Sequence, residues 1–526
     1  MREKKIPAIH PILFTLFPIL FLFSKNLGGY ALGDMLGVSA KAVAATLAIW
    51  FLLARLVKSG QKAGIVVTLA VLLFSSYGRI LDILHSWEFA AGFGELGIEI
   101  TLGAAFAVVF AAGAIAAVRT RWGLSPVTTA LNVAGAALVI VSAVRIGTYE
   151  FEAVKARRAI ERELGSAPIR IFAPAEARNI YYIVLDGFGR PDKLRELYGT
   201  DVSEFVAFLQ EKGFYVAGKS TSNYSNTLCS MASSLNCRYL PDYTKRLDTV
   251  DAVPLAAMRE KGEVVRLLRS VGYKFVCFDG TGDVKSADIK MHCGGGAFEE
   301  GLMNTTAYST AAAKRERKRS DVLDALRRLP ETARMGFPVF VYAHIMAPHP
   351  PFVFRRDGAD ATYERFEGTG GGNYIIHADG GLTRGEYIRR YGEQLEYICS
   401  QVPQTIDGIL AASEIKPIII VQGDHGGDAF LHPEDVKGSY LGDRISILNA
   451  YYLPEGGAGE LYESITPVNT FRVIFRHYFG AECELLPERN YCAPGRAPLE
   501  NVEVTGRIGS DEDVAQLNVL LERDYF

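Results

Sequence analysis

The sequence predicts two parts: a multi-span α-helical membrane domain, followed by an α/β domain with a mainly parallel central sheet. Three observations support this prediction. The apolar residues crowd into about the first 150 of the 526 positions. After position 179, short apolar stretches alternate with amphipathic ones, which is typical of strands covered by helices on both faces. A densely charged stretch separates the two. We therefore expect a membrane domain at 1–148, a linker at 149–178 and a second domain at 179–526.

Five apolar stretches precede position 150, at about 8–24, 38–57, 64–84, 97–118 and 125–146. Each is about long enough to cross a hydrocarbon layer of ~30 Å at 1.5 Å per residue. The first could instead be a signal peptide, but four more stretches follow and no small-residue cleavage site stands out. We therefore predict five transmembrane helices.

Basic residues indicate the orientation of these helices. Arg2, Lys4 and Lys5 precede the first stretch. Arg55, Lys58 and Lys62 lie between the second and third stretches, and Arg119 and Arg121 lie between the fourth and fifth. The alternate loops contain few. The N-terminus is therefore expected inside and everything after about residue 150 outside. Arg79, Asp82 and His85 fall near the outer boundary, where they would either extend to the interface or contact lipid headgroups.

The net charge of −3 gives no indication of nucleic-acid binding. All seven cysteines lie in the second part, where an extracytoplasmic domain would tolerate disulfides. An odd number leaves at least one unpaired within the chain. Cys483 and Cys492 are the first candidates for a bridge, although the pairing does not follow from the sequence.

The linker and the second domain can be divided into elements. Residues 150–166 have the spacing of an exposed helix, and an extended Pro-containing stretch follows. Strands are predicted at NIYYIVLDG, YKFVCFDG, PVFVYAHI, KPIIIVQGDHG and RISILNAYYLP, with helices between them and a last helix at TPVNTFRVIFRHYFG. A long helix is expected at about 385–412, kinked or divided at Pro403.

Three predicted core strands end in residues that can bind metals or transfer protons. YYIVL ends at Asp186, VFVYA ends at His344 with His349 five residues on, and IIIVQG ends at Asp424 and His425. Ligands of open α/β sheets bind beyond the carboxyl ends of the strands. A lone Asp there is more often a turn residue, and a lone His more often structural, but three such endings together indicate a site.

Four segments in this order resemble a known family: LDG at 185–187, SNYSNTLCSMASSLN at 222–236, HIMAPHPPF at 344–352 and GDHGG at 423–427. Together they resemble the sulfatase-type branch of the alkaline phosphatase superfamily. With membrane spans in front, the chain is similar to the bacterial membrane phosphoethanolamine transferases and lipoteichoic acid synthases. The resemblance implies an α/β alkaline phosphatase-like (sulfatase-like) domain on the extracytoplasmic, or periplasmic, side of a bacterial plasma membrane.

The resemblance also implies a metal bound by Asp186, Thr227, Asp424 and His425. The chemistry of these groups agrees, because two carboxylates, an imidazole and a hydroxyl suit one Zn²⁺ or Mn²⁺, with Mg²⁺ or Ca²⁺ as alternatives. A cation would lower the pKa of the Thr227 hydroxyl, which is otherwise a poor nucleophile. Thr227 also precedes a helical stretch, whose N-terminus would favour an anionic phosphoryl group.

Other assignments remain open at this site. Ser225, Cys229 and Ser230 are rival nucleophiles, and Thr227 could be only a helix cap. Cys229 lacks the following Pro and Arg of the true sulfatase motif, which favours phosphoryl transfer over sulfate hydrolysis. His344 and His349 are expected to contact the transferring group or to act as general acid and base.

Three further residues are candidates for substrate binding: His432, Asn226 and Lys285. His432 is equally well a loop residue, and a solvated loop is the favoured interpretation for the stretch that contains Lys285 and His292. Asn223, Asn226 and Arg238 flank the nucleophile and could contact phosphate oxygens.

The sequence thus predicts metal-dependent transfer of a phospholipid-derived headgroup, such as phosphoethanolamine or phosphoglycerol, through a phospho-threonine. The donor would be a membrane phospholipid and the acceptor a glycan or lipid of the cell envelope. A hydrolase of the same superfamily, acting on phosphate or sulfate esters, is the first alternative. A non-catalytic membrane protein that binds a ligand is the second.

Overall fold

The structure, a computed structural model, describes residues 6–523 except for 28–29, 31, 86–93, 165–168, most of 241–261, 280–285, 293–296, 309, most of 362–381, 433–434 and 494–499. The chain forms two compact units. The first comprises Met1–Lys155 and Gly295–Glu316, and the second comprises Ala156–Gly294 and Arg317–Phe526.

The helices and strands are numbered here in chain order. The helices are α1 His10–Lys25, α2 Leu32–Val57, α3 Gly60–His85, α4 Gly94–Arg119, α5 Ser125–Leu164, α6 Pro191–Tyr198, α7 Ser203–Glu211, α8 Thr227–Ser234, α9 Glu263–Ser270, α10 Ala297–Met303, α11 Ala311–Arg328, α12 Arg384–Ala412, α13 Leu441–Ile445, α14 Pro467–Phe479 and α15 Asp511–Arg523. The strands are β1 Ile180–Leu185, β2 Tyr215–Val216, β3 Lys274–Asp279, β4 Ile289–His292, β5 Val339–Ile345, β6 Ile418–Gln422, β7 Asn449–Tyr452, β8 Tyr491–Cys492 and β9 Val502–Glu503.

Apolar helices form the first unit, one for each predicted span. Helices α2 to α5 are long and apolar enough to cross a membrane, whereas α1 has 16 residues and is shorter. Helix α5 continues without a break to Leu164, so the predicted fifth span and the predicted linker helix are one helix. The count of five spans, and their orientation, stay predictions.

A segment from the middle of the chain, Gly295–Glu316, also belongs to the first unit. We call it the docked segment. The Phe298 ring on α10 packs edge-on against Phe23 and Tyr30, with centroid distances of 5.9 and 5.1 Å. The Gly78 N–H on α3 donates to Thr305 O, and the Ala307 N–H donates to Phe74 O. Nothing in the hydropathy of 295–316 indicates this association, and the sequence analysis did not predict it.

A seven-stranded sheet lies at the centre of the second unit, in the order β2-β7-β6-β1-β5-β3-β4. The pairs β6-β1, β1-β5, β5-β3 and β3-β4 are parallel, and β7 pairs antiparallel with β6 and β2. The predicted mainly parallel sheet is therefore confirmed. Both antiparallel pairs lie at one edge of the sheet.

Both faces of this sheet are covered, which explains why its strands are continuously apolar. Along β1 the side chains alternate, as in any strand. Tyr181, Ile183 and Leu185 enter a core with helices α6, α7 and α12. Ile180, Tyr182 and Val184 enter a second core with helices α9 and α14. All six side chains are fully buried.

Two details bear on the sequence-based expectations. Helix α12 continues through Pro403, so the expected helix is not divided there, and a kink stays a prediction. Cys483 and Cys492 do not form a bridge: both are free, and they pack in different apolar clusters. Closeness in sequence does not by itself bring the Cα atoms of two cysteines within bridging distance.

Candidate metal centre

Three neighbouring parallel strands position the candidate site. Strand β1 lies between β6 and β5, so the carboxyl ends of all three meet at one edge of the sheet. Asp186 follows β1 directly, His344 lies in β5 opposite Val184, and Asp424 comes two residues after β6. These residues are distant in sequence but lie together because ligand sites of open α/β sheets form beyond the carboxyl ends of the strands.

Asp186, Asp424 and His425 form a buried cluster whose potential ligand atoms all lie within 4.8 Å of one another. His425 Nε2 is 3.5 Å from Asp186 Oδ1 and 3.4 Å from Asp424 Oδ2. The two side-chain carboxylates and the imidazole are almost wholly inaccessible to solvent. These three residues are three of the four that the sequence predicted as metal ligands.

The protonation of His425 suits a ligand. Its Nδ1 lies 2.8 Å from the main-chain oxygen of Gly426, which assigns the ring proton to Nδ1 and leaves the Nε2 lone pair facing the carboxylates. Burial, followed by the positive charge of Arg444, lowers the pKa of His425 and favours the neutral ring. A neutral imidazole is the form that binds metals.

The carboxylates also fit a cation. Burial alone would raise the pKa of Asp186, but interactions with His349 and His344 hold that pKa well below its ordinary value. Within the described part of the chain, Asp186 Oδ1 and Asp424 Oδ2 accept no hydrogen bond although they are buried. Two buried, converging carboxylate oxygens without donors are costly unless a cation balances them. The residues present therefore fit one divalent metal ion.

Thr227 completes the set. Its Oγ1 lies 3.2 Å from His425 Nε2, and its side chain is only half-buried, so it connects the cluster to the surface. It is the first residue of α8, as predicted. The cap of this helix is Asn226, whose Oδ1 accepts a hydrogen bond from Cys229 N–H. The interpretation of Thr227 as only a helix cap is therefore not supported.

The rival nucleophiles are buried. Cys229 and Ser230 are inaccessible, and Ser225 is 4 % exposed. Burial raises the pKa of the Cys229 thiol to about 11, which disfavours the reactive thiolate. Ser225 instead accepts two hydrogen bonds: its main-chain oxygen accepts from Arg444 Nε, and its hydroxyl oxygen accepts from Ala493 N–H. Of the four candidate nucleophiles, only Thr227 combines partial exposure with contact to the cluster.

The two predicted histidines differ in position. His344 is buried, with Nε2 3.2 Å from Asp186 Oδ2. His349 is half-buried, its main-chain N–H donates to Asp186 O, and its ring centroid lies 6.2 Å from that of His425. His349 Nδ1 lies 2.6 Å from Pro350 O, which assigns the proton to Nδ1 and leaves Nε2 for a bound molecule.

Arg444 is a buried residue beside this site that the sequence analysis missed. Its Nε donates to Ser225 O at 2.6 Å, and its Nη1 pairs with Asp428 and lies near Gly426 O. It therefore joins the loop before Thr227 to the loop that carries Asp424 and His425. The same loop needs glycine, because a Cβ at Gly426 would overlap the main-chain oxygen of Asp443. Nothing in the sequence around Arg444 distinguishes it from a surface arginine.

Gln394 on α12 was missed as well. Its Nε2 donates to Pro348 O at 3.0 Å and His349 O at 3.1 Å. Its Oε1 accepts from Val353 N–H at 2.8 Å and Phe354 N–H at 3.3 Å. One buried amide thus holds both sides of the loop that carries His349. A single Gln in a long helix gives no indication in the sequence that its side chain holds a distant loop.

The predicted substrate residues are less well placed. Asn226 is engaged as a helix cap. His432 is exposed, and its Nδ1 accepts from Asp435 N–H. Lys285 lies outside the described residues. Asn223 is buried, with its side chain bonded to Arg489 O and Val468 N–H. Substrate contacts by Asn226, His432 and Lys285 stay predictions.

No protein-family model and no curated protein matches the chain. Solved structures are similar to it. The periplasmic domain of EptC from Escherichia coli, in complex with Zn, has 10 % identity and a TM-score of 0.44, covering 66 % of this chain and 98 % of that one. The corresponding domain of the phosphoethanolamine transferase EptC from Campylobacter jejuni has 12 % identity and a TM-score of 0.36, covering 62 % and 94 %.

A full-length membrane protein is also similar to the chain. It is the integral membrane lipooligosaccharide phosphoethanolamine transferase EptA from Neisseria meningitidis, with 11 % identity and a TM-score of 0.36. The similarity covers 90 % of this chain and 96 % of that one.

Proposed function

We propose that this protein is a membrane-anchored, metal-dependent enzyme that transfers a phospholipid-derived headgroup, with Thr227 as its nucleophile. The observation that carries the proposal is the position of Thr227 Oγ1. It lies 3.2 Å from the Nε2 of a buried, neutral histidine, beside two buried carboxylates, at the point where the cluster meets solvent. A hydroxyl that attacks a phosphate ester with the help of a metal ion needs a cation site beside it and access for the substrate.

Asp186, Asp424, His425 and Thr227 would hold the metal ion. Their two carboxylates, imidazole and hydroxyl favour Zn²⁺ or Mn²⁺, with Mg²⁺ or Ca²⁺ as alternatives. A bound divalent ion supplies positive charge that makes the threonine hydroxyl more acidic and balances charge on the phosphoryl oxygens. Because Thr227 starts helix α8, main-chain N–H groups at that end would also favour an anionic group.

The transfer would proceed in two balanced steps. Thr227 Oγ1 loses its proton to solvent and attacks the phosphorus of the donor lipid. The bond from phosphorus to the diacylglycerol oxygen breaks, and protonated His349 donates its Nε2 proton to that oxygen. An acceptor hydroxyl then transfers its proton to His349 Nε2 and attacks the phospho-threonine. The bond from phosphorus to Oγ1 breaks, and Oγ1 regains a proton from solvent. His344, buried against Asp186, would orient that carboxylate.

The membrane helices support a lipid donor. An enzyme held at the bilayer meets its lipid at a high effective concentration, which favours transfer from a phospholipid in the outer leaflet. The acceptor would be a glycan or lipid of the cell envelope. Asn226, His432 and Lys285 are the candidates for holding it. This assignment requires the second unit to lie on the extracytoplasmic side of the plasma membrane, as the basic residues of the loops predict.

A headgroup-labelled phospholipid tests the proposal. The purified full-length protein is incubated with phosphatidylethanolamine carrying a radiolabelled ethanolamine, with and without a lipid or glycan acceptor. We expect label on the acceptor and on a peptide that contains Thr227, and neither with Thr227→Ala. Ser400→Ala, an exposed hydroxyl on α12, is the control and should behave like the wild type. Release of label to water alone would indicate a hydrolase. No turnover and no labelled peptide would contradict an enzymatic role.

A further inference from the structure

Two groups stand out among the charges near the predicted outer ends of the membrane helices. The first is neutralised by the docked segment. Glu299 pairs with Lys41 at 2.9 Å, and Lys314 pairs with Asp82 at 2.7 Å. Both ion pairs lie within the first unit. In these two pairs, each charge of a membrane helix is neutralised by an opposite charge of the docked segment.

The second group consists of two cations on different helices that face one aromatic ring. Lys25 Nζ lies 5.6 Å from the centre of the Phe21 ring, and the Arg79 guanidinium carbon lies 4.7 Å from it. Among the residues that the structure describes, neither cation has a carboxylate within 4.0 Å. The ring holds both cations by its negative face but leaves their net positive charge unbalanced.

Their depth determines which anion can balance them. Lys25 is the last residue of α1, and Arg79 lies six residues before the end of α3, or about 9 Å along the helix axis at 1.5 Å per residue. The predicted orientation puts both ends at the outer surface, so the cations lie in the headgroup layer. Unpaired charges at this depth are costly, and the abundant anion there is the lipid phosphate.

The chemistry of the pair also suits a phosphate diester. A guanidinium offers two parallel N–H donors that match two phosphate oxygens, and an ammonium adds a compact charge. The Phe21 ring limits the motion of both side chains, which reduces the entropy lost on binding. We propose that Lys25 and Arg79 bind the phosphate of a glycerophospholipid in the outer leaflet. This inference does not depend on the transfer reaction, because it needs only the membrane location.

Native mass spectrometry of the full-length protein with phosphatidylglycerol tests the inference. At about 1 kcal/mol per basic residue near the surface, we expect about fivefold weaker binding for Lys25→Gln or Arg79→Gln and about 30-fold for both. Arg79→Lys keeps the charge but loses the paired donors, and should bind between wild type and Arg79→Gln. Phe21→Leu keeps both cations and should also weaken binding, which tests the site without removing a charge.

Arg145→Gln is the matched control. Arg145 is an exposed cation of α5, predicted at the same surface, and its removal should leave phosphatidylglycerol binding unchanged. An equal loss for Arg145→Gln and Arg79→Gln would indicate general surface charge and overturn the site. Full displacement of the lipid by inorganic phosphate would indicate a site for a soluble anion and would overturn the lipid assignment. Unchanged binding in the double variant would also overturn it. Thermal unfolding of each variant shows whether a loss comes from misfolding.

Discussion

Thr227 Oγ1 lies 3.2 Å from His425 Nε2, although 198 positions separate the two residues in the sequence. The contact joins the start of helix α8 to the loop after strand β6. Arg444 joins the same two segments, because it bonds to Ser225 O on one side and pairs with Asp428 on the other. The geometry of the site therefore depends on two loops, one before Thr227 and one after β6, that the buried Arg444 side chain connects.

Replacement of Thr227 separates a chemical role from a structural one. Thr227→Ala should lower headgroup transfer by on the order of 10³-fold or more, because the nucleophile is lost. Thr227→Ser keeps an oxygen at the same position and should retain measurable transfer. The rate of label transfer at saturating donor is the measurement. Transfer by Thr227→Ala at the wild-type rate would contradict the assignment.

Metal removal should lower stability as well as activity. A ligand that binds only the folded state at 100 times its dissociation constant stabilises that state by about 2.7 kcal/mol. We therefore expect chelator to lower the Tm of the purified protein and Zn²⁺ or Mn²⁺ to restore it. Asp424→Asn should largely lose this response. Asp435→Asn, an exposed carboxyl of a nearby loop, should keep it. An identical metal response in Asp424→Asn and wild type would remove Asp424 from the ligand set.

Gln394 should act on the reaction through His349. Gln394→Glu keeps the acceptor for Val353 and Phe354 but faces the carbonyls of Pro348 and His349 without a donor. We expect about 10- to 100-fold slower transfer, because one or two hydrogen bonds would be lost. Each loss of about 1.4 kcal/mol from the stabilisation of the transition state slows the reaction about tenfold. The pH dependence of the rate should also shift, whereas the Tm response to metal should not.

Gln401→Glu is the matched control for Gln394. It lies on the same helix, is half-buried, and bonds only to Ser400 in the described structure. It should leave the rate and its pH dependence unchanged. If Gln394→Glu lowered only the Tm, with a normal rate and pH profile, Gln394 would be structural and would not position His349.

Asp443 should make stability depend on pH. Burial raises its pKa from 3.8 to about 7, and the Tyr198 hydroxyl donates to its Oδ2 at 2.7 Å. Between these two values the folded chain keeps a proton that the unfolded chain releases, so stability falls as pH rises through this window and levels off above it. Asp443→Asn should have a shallower decline from pH 5 to 7, measured by urea unfolding. Equal slopes would contradict the raised pKa.

The sequence predicted the residues whose positions follow from simple rules. Asp186, His344 and Asp424 lie where a buried parallel strand ends, so the rule that ligands bind beyond the carboxyl ends of such strands was enough to bring them together. Thr227 depended on a family resemblance, because nothing in its local pattern separates it from Ser225 or Ser230. The structure distinguishes Thr227 from those two serines because both serines are buried. Sequence periodicity alone does not predict that burial.

Other features could not be predicted because they depend on packing between distant residues. Gln394 and Arg444 are polar residues whose importance comes from main-chain groups 40 or more positions away, such as Pro348 and Ser225. The docked segment joins α3 through main-chain hydrogen bonds, which are independent of side-chain type. Whether Pro403 divides helix α12 also depends on packing, and buried side chains lie on both sides of it, from Tyr387 to Ile409.

The central claim is that one cation is held jointly by Asp186, Thr227, Asp424 and His425. Anomalous X-ray scattering at the zinc edge, from crystals of the purified full-length protein grown with Zn²⁺, tests it most directly. We predict one strong peak within about 2.3 Å of an oxygen or nitrogen of all four side chains. Zinc bound elsewhere, or a peak that touches the carboxylates but not Thr227 Oγ1, would contradict the account.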